Sequence, residues 1–353
     1  MNFVIFGLTM SSSWGNGHAT IWRGLCRALV ERKHRITFYE KDVPYYRAHR
    51  DFPDLPGGEL VLYEKWKDVI SHAQSKLSQA DIGMVTSYCP DGMAASDLVL
   101  SHTAGIRIFY DLDTPVTMEA LGKGKAPEYI GRNGLADYDL VLSFTGGKSL
   151  EELKNRLGAK RTEPLYGCAD PYVHKPVAIP SKDCADLSYL GTYAADRQQA
   201  LVRFFIEPAR RLRNKKFVLG GSMYPEDFPW QPNIVYRSHV APPDHSAFYC
   251  GSGLTLNVTR QVMAETGYCP SGRLFEASAC SVPIVSDCWE GLDLFFEPGR
   301  EILVADTTED VVQALSLPIE EQKRIARAAR DRTLETHTAD CRVQALEQMI
   351  YSL

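Results

Sequence analysis

The chain lacks what would send it to a membrane, to nucleic acid or to an oxidising compartment. No run approaches the ~20 consecutive apolar residues of a membrane span. The opening apolar run Phe3 to Phe6 is too short for a signal peptide and has no basic leader. Neither sign of charge dominates: 39 basic and 44 acidic residues leave a formal net charge of −5, without the basic footprint of a nucleic-acid binder. The nine cysteines are scattered, odd in number and include no C-x-x-C pair, which points to reduced thiols and away from a disulfide framework. Internal repeats and low-complexity stretches are absent too. These absences leave an expectation of a cytoplasmic protein with no integral membrane segment and no nucleic-acid partner. What is present, 44% apolar and 24% charged residues in 353, is the composition of an ordinary globular enzyme. That length exceeds what one hydrophobic core usually serves, so two domains of similar size are expected.

Short β-branched and aromatic runs alternate with helical patterns along the chain. Phe3 to Phe6 reads as a buried strand. A loop rich in serine and glycine follows, then a helix whose apolar stripe Ile21, Leu25, Ala28 and Leu29 recurs at helical spacing. Further strands are predicted at 36–39, 60–63, 82–86, 106–110 and 140–144, with helices near 68–79 and 149–157 and a helical region around Met118 and Tyr129. Such alternation argues for a parallel sheet covered on both faces, with ligands beyond the carboxyl ends of the strands. By that rule the loops at Gly15 to His18, Asp91, Asp111 to Asp113, and Thr145 to Gly147 should converge on one cleft. Periodicity lapses from Cys168 to Asp186, where Pro171, Pro176 and Pro180 mark a linker. Strands then resume at 187–190, 217–219, 234–236 and 254–257, and the tail from Ile319 to Leu353 is helical with a break near His337-Thr338.

The stretch from Cys269 to Ala305 concentrates the chemistry. Ser271 can cap a short helix carrying Arg273, Leu274, Phe275 and Glu276, which leaves the unpaired N–H groups of the helix start open to an anion. A carboxylate just inside that helix can accept two hydroxyls at once. Small residues from Ala277 to Cys280 let the helix lie close to its sheet, and Val282, Ile284 and Val285 begin a buried strand. In this order RLFE, the small-residue helix, VPIVSD, WEGL and EPGREIL resemble the donor end of GT-B glycosyltransferases, most closely the CgeB-like, spore-maturation group.

The resemblance implies an α/β fold of two Rossmann-like domains facing across a cleft. Residues 1–168 would form the acceptor domain, 169–336 the nucleotide-sugar domain, and 337–353 a last helix crossing back to the first. It implies that Glu276 holds ribose hydroxyls, that Ser271, Arg273 and Leu274 line the nucleotide sugar, and that backbone groups of His239 and Val240 read the base. Arg197, just inside a helix that follows a strand and Gly191, and Arg260, directly after a strand end, are the candidates for the diphosphate. Retaining relatives often carry a glutamate eight positions before the ribose one, and Tyr268 stands there in this chain.

On the acceptor side, Gly15, Asn16 and Gly17 lead into His18. The loop from Ser11 to His18, with Trp14 at its middle, is expected to close over the diphosphate, since its serines, glycines and asparagine offer N–H and hydroxyl groups. Trp14 would then meet a sugar face or simply plug its own domain. His18, Asp111 and Asp113 are the candidate bases. Asp111-Leu112-Asp113 also matches the D-x-D metal signature of the other large glycosyltransferase class. It lies far in sequence from the nucleotide stretch, and a base or a cap for the helix starting at Pro115 suits it better. No metal and no cofactor are expected, only a nucleoside-diphosphate sugar as co-substrate, with uridine as the base. Two other readings stay open: a sugar-nucleotide epimerase of the same architecture, and a non-catalytic nucleotide-sugar-binding surface-assembly protein.

Overall fold

The computed structural model describes residues 1–181 and 184–353. The chain forms two compact units, one of Met1–Tyr166 with Ala339–Leu353 and one of Gly167–Thr338.

The first unit is built on a seven-stranded sheet of β1 (Asn2–Gly7), β2 (Arg35–Lys41), β3 (Glu59–Tyr63), β4 (Ile82–Thr86), β5 (Ile106–Asp111), β6 (Leu140–Ser143) and β7 (Thr162–Pro164). All pairings are parallel, in the order β3-β2-β1-β4-β5-β6-β7. Phe3, Val4, Ile5 and Phe6 are all buried, as a central parallel strand covered on both faces requires. The helix His18–Glu31 lays Ile21, Trp22, Leu25 and Leu29 on the sheet, the three-and-four spacing of an amphipathic helix. The final helix, Ala339–Tyr351, packs on this same helix and buries Val343, Leu346 and Ile350. Its Asp340 pairs with Arg27 at 2.8 Å, and its Glu347 takes Arg32 and His34 at 2.5 and 2.7 Å.

The second unit carries six parallel strands, β8 (Ala185–Leu190), β9 (Phe217–Gly220), β10 (Ile234–Arg237), β11 (Ser252–Asn257), β12 (Ile284–Ser286) and β13 (Leu303–Val304), in the order β10-β9-β8-β11-β12-β13. In each sheet the strand order reverses beside the first strand, between β1 and β4 and between β8 and β11. Those two reversals are where an open α/β sheet leaves a crevice at the carboxyl ends of its strands.

Several elements depart from expectation. The helix after β5 runs only from Thr114 to Gly122, so Tyr129 lies outside it. Helices at Gly92–His102, His245–Cys250 and Gln261–Thr266, and the short strand β7, carry too little periodicity to announce themselves. The boundary between units falls after Tyr166, earlier than the proline-rich stretch. Ala169 already pairs with Thr338 inside the second unit, and residues 182 and 183 of the expected linker lie outside the described residues. Among the described residues no helix is long and apolar enough to cross a membrane.

Candidate functional site

In the second unit, the crevice between β8 and β11 is organised by Arg273. Ser271 caps the helix Gly272–Ala279, its hydroxyl accepting from the Arg273 amide. The Arg273 side chain turns back under the sheet ends: Nε donates to the Leu190 carbonyl, Nη1 to Asn257 Oδ1 at 2.6 Å, and the guanidinium lies over the Tyr189 ring at 4.8 Å. It thereby ties the two strands that flank the reversal. Gly191 makes room for this, since a Cβ there would come within 2.9 Å of an Arg273 nitrogen and 2.7 Å of the Tyr189 hydroxyl.

Arg197 and Arg260 emerge at the ends of the same two strands. Arg197 donates from Nη1 to the Tyr189 hydroxyl and the Thr192 carbonyl, each at 3.2 Å, while its Nε finds no partner among the described residues. Arg260 is tethered to Asp196 at 3.0 Å. Unpartnered buried polar atoms also occur at Gln198 and Ser222, and such atoms gather where a ligand is to supply the missing bonds. Val240 is buried and its carbonyl faces His245 Nε2 at 3.3 Å; His239 is half-buried. Leu274 is a core residue with no exposed surface, and its amide donates to Ser271, so it has nothing to offer a ligand. Tyr268 holds a left-handed backbone, φ +48°, its amide on the Glu290 carbonyl and its ring where a Cβ on Gly291 would stand.

Glu276 is buried, 9% exposed. Its Oε2 accepts from the Tyr249 hydroxyl at 3.0 Å and lies 3.5 Å from His245 Nδ1. Burial alone would raise this carboxyl, but the adjoining His245, with His174 and Tyr249, outweighs it and holds it at about 2. The other oxygen, Oε1, bonds no group among the described residues and stands 3.7 Å from the Cβ position of Gly272, at the helix start. An ionised carboxylate with one oxygen anchored and one bare is suited to accepting sugar hydroxyls. The ligating atoms of His174, His245 and Glu276 lie within 4.8 Å of one another, close enough for a metal ion. The hydrogen bonding does not fit one: the Asp170 amide donates to His174 Nδ1 at 3.2 Å, which assigns the ring proton to Nε2, the nitrogen a metal would need bare.

In the first unit the loops after β1 and β5 meet. His18 Nε2 lies 3.3 Å from Asp113 Oδ2. Asp113 caps the helix Thr114–Gly122 in position but makes no side-chain capping bond, so the carboxylate serves His18 instead. With Nε2 facing the carboxylate, the ring proton sits there and the lone pair falls on Nδ1, which has no partner among the described residues. Asn16 Nδ2, Trp22 Nε1 and Asp111 Oδ2 are buried and unpartnered as well. Asn16 accepts the His18 amide at 3.1 Å, and Asp111 Oδ1 accepts the Asp113 amide at 3.2 Å. Asp91, by contrast, is taken up by Lys41 and Tyr63 at 3.0 and 3.1 Å.

Burial raises the Asp111 carboxyl to about 6, against the neighbouring Thr117 and Ser87 hydroxyls and the Asp113 amide, which lower it. The folded protein therefore keeps a proton that the unfolded chain releases near 3.8. The stabilisation is complete below that value and is lost as pH rises through about 6. Asp111→Asn, which cannot titrate, should gain about 3 kcal/mol relative to the parent between pH 4 and 7, at roughly 1.4 kcal/mol per unit of displacement. Parallel stability curves for the two proteins would show that Asp111 titrates normally.

The loop from Ser11 to His18, expected to close over the diphosphate, is tied down within its own unit. Glu40, at the end of β2, accepts from Thr9 Oγ1, the Met10 amide and both the amide and hydroxyl of Ser11, at 2.5 to 2.9 Å. Ser13 gives its hydroxyl to Asp51 at 2.5 Å, and Ser12 gives its own to the His49 carbonyl at 2.8 Å. The donors counted on for a diphosphate are thus spent within the unit. Trp14 stacks on His49, ring centroids 4.1 Å apart, and so packs on its own unit. Gly15 needs its freedom, at φ +62°, whereas Gly17 is right-handed and a Cβ there would meet nothing within 4 Å.

No curated protein matches the chain by sequence. Residues 197–348 match a family described as glycosyl transferase-like. Solved structures match over the full length. An alpha-glucosyltransferase in complex with UDP superposes with a TM-score of 0.72 at 12% identity, over 99% of this chain and 100% of that one. Sucrose-phosphate synthase from Thermosynechococcus elongatus gives 0.69 at 12%, over 100% and 98%. Anabaena HepE in complex with UDP-glucose gives 0.68 at 10%, over all of both chains. The fold is that of the GT-B glycosyltransferases, and the family match over the second unit supports the same class.

Proposed function

We propose that this chain transfers a sugar from a nucleoside-diphosphate sugar, uridine diphosphate being the first base to test, to an acceptor hydroxyl, and that it does so without a metal ion. The observation that carries the reading is the Glu276 carboxylate at the start of the helix Gly272–Ala279, ionised, anchored at one oxygen and bare at the other. Glu276 would accept the ribose hydroxyls, and the helix N-terminus with Arg197 and Arg260 would take the diphosphate. His18, oriented by Asp113, would take the acceptor proton through Nδ1 as the new glycosidic bond forms. The bond from the sugar to the diphosphate breaks, and the nucleoside diphosphate departs with its charge met by the two arginines. The RLFE, VPIVSD, WEGL and EPGREIL segments favour the CgeB-like group within this fold. That two of the similar structures named above hold UDP or UDP-glucose favours uridine.

The test is a thermal-shift panel of nucleoside diphosphates and their sugars. A ligand present at 100 times its Kd should add roughly 2.7 kcal/mol of stability, and uridine diphosphate is expected to act where the adenosine and guanosine forms do not. Both the shift and sugar transfer should survive a chelator. Loss of transfer on chelation, restored by manganese or magnesium, would move the chemistry to Asp111 and Asp113. Isomerisation of the nucleotide sugar with no acceptor present would make the chain an epimerase.

A further inference from the structure

Glu276 does not stand alone, and its surroundings have no part in the scheme above. A line of hydrogen-bonding groups runs from the backbone through two imidazoles to the carboxylate. The Asp170 amide donates to His174 Nδ1 at 3.2 Å, so the proton of His174 is on Nε2, which faces His245 Nδ1 at 3.4 Å. His245 Nε2 faces the Val240 carbonyl at 3.3 Å and must carry a proton there, because a carbonyl can only accept. His245 Nδ1, which receives the His174 Nε2–H, also stands 3.5 Å from Glu276 Oε2, so the His245 ring lies between the other imidazole and the carboxylate. His174 is 1% exposed and His245 8%, and burial pushes His174 down to about 4, which leaves it neutral. His245 thus sits against the carboxylate, and His174 sets its ring.

We propose that His245, oriented by His174, is a positioning residue for nucleotide binding, holding Glu276 ionised and turned with Oε1 toward the ligand. This rests on the reading of Glu276 as the ribose acceptor. A buried carboxylate without a cation or sufficient hydrogen bonds takes up a proton, and a protonated Glu276 loses acceptor capacity just where two hydroxyls need it. The groups that face it are His174 from the segment before β8, His245 and Tyr249 from the helix His245–Cys250, and Cys280 at the end of its own helix. Of these His245 is the first and strongest influence holding the carboxyl down. The parent protein should therefore bind nucleotide with no contribution from Glu276 titration anywhere above pH 4. With His245 gone, burial is opposed only by Tyr249 and neutral groups, and the Glu276 pKa rises into the accessible range. Affinity is then present at high pH and lost as pH falls through the raised pKa.

The experiment measures uridine diphosphate affinity by calorimetry from pH 5 to 8.5 for the parent, His245→Leu, His245→Gln, His174→Gln and Glu276→Gln. His245→Leu should match the parent within a few-fold at pH 8.5 and fall at least tenfold below it at pH 5.5. His245→Gln, which can offer an N–H to the carboxylate, should recover part of that loss, and His174→Gln should show a smaller slope of the same sign. Melting temperatures of the same proteins, taken without nucleotide, separate folding from binding. A His245→Leu protein that is less stable but binds with the parent's pH profile would overturn the proposal, because a merely structural imidazole moves stability alone. Should Glu276→Gln bind as tightly as the parent, the ribose reading itself fails. Should that variant lose affinity while the histidine variants keep flat profiles, only the positioning role fails. Binding abolished by a chelator and restored by zinc would overturn it in favour of a metal ion on the same atoms.

Discussion

His18→Ala is expected to lower kcat by about 10²- to 10⁴-fold, the usual worth of a positioned proton acceptor, while uridine diphosphate binding is unchanged. The size of the effect follows from how the ring is held. Asp113 occupies Nε2 at 3.3 Å, fixing the tautomer and stabilising the imidazolium that forms when Nδ1 takes a proton. Asp113→Asn should cost less than removing the ring, because the amide still orients the imidazole but carries no charge. The His18 side chain is partly exposed at the start of its helix and supplies no capping bond, so the alanine variant should fold, with a melting temperature close to the parent's. Single-turnover measurement of sugar transfer is the check. A His18→Ala protein that retains full turnover would pass the role to Asp111, whose raised pKa and unpartnered Oδ2 make it the only other group of the cluster able to accept a proton near neutrality.

Glu276→Ala should weaken uridine diphosphate binding by roughly 10- to 100-fold, the range for hydrogen bonds to a charged acceptor. Because the carboxylate is buried, the variant also strips the Tyr249 hydroxyl and His245 of their partner. A second variant is therefore needed. Glu276→Gln keeps the volume and can still accept from Tyr249, so its fold should hold while its neutral amide makes a weaker ribose acceptor. Loss of affinity in both variants, with the glutamine form melting near the parent's temperature, supports the assignment. Unchanged affinity in Glu276→Gln would remove the carboxylate from the nucleotide site.

The two sheets were legible because a parallel strand covered on both faces leaves a largely apolar run, as at Phe3 to Phe6 and, with only Thr255 between the leucines, Leu254 to Leu256. The motif around Glu276 was legible for a different reason: its cap, carboxylate, small residues and following strand are contiguous. What could not be read was whatever depends on residues distant in sequence. His174 falls in a stretch without periodicity, and His245 in a six-residue helix too short to show a stripe. Neither has a local signal linking it to Glu276. Arg273 read as a residue of an open helix start, but its side chain is bound to Leu190 and Asn257 and it became an internal strut. The loop from Ser11 to Ser13 read as a free set of donors because nothing in its own composition reveals that Glu40 and Asp51 will consume them. The pairing of Asp113 with His18 was hidden in the same way, since only the parallel order of β1, β4 and β5 brings those two loops to the same sheet end.

The path of the chain also has a consequence for its biosynthesis. The second unit, Gly167–Thr338, is inserted whole between the two segments of the first. At ~5–20 residues per second, a ribosome that has finished Tyr166 needs on the order of ten seconds or more before Ala339–Leu353 emerges. Throughout that interval the inserted unit can complete its fold, while the first waits with Arg27, Arg32 and His34 lacking their partners Asp340 and Glu347. The nascent first unit is thus the aggregation-exposed species during translation. A nonsense codon just ahead of Ala339 would damage the unit of the protein that was begun first.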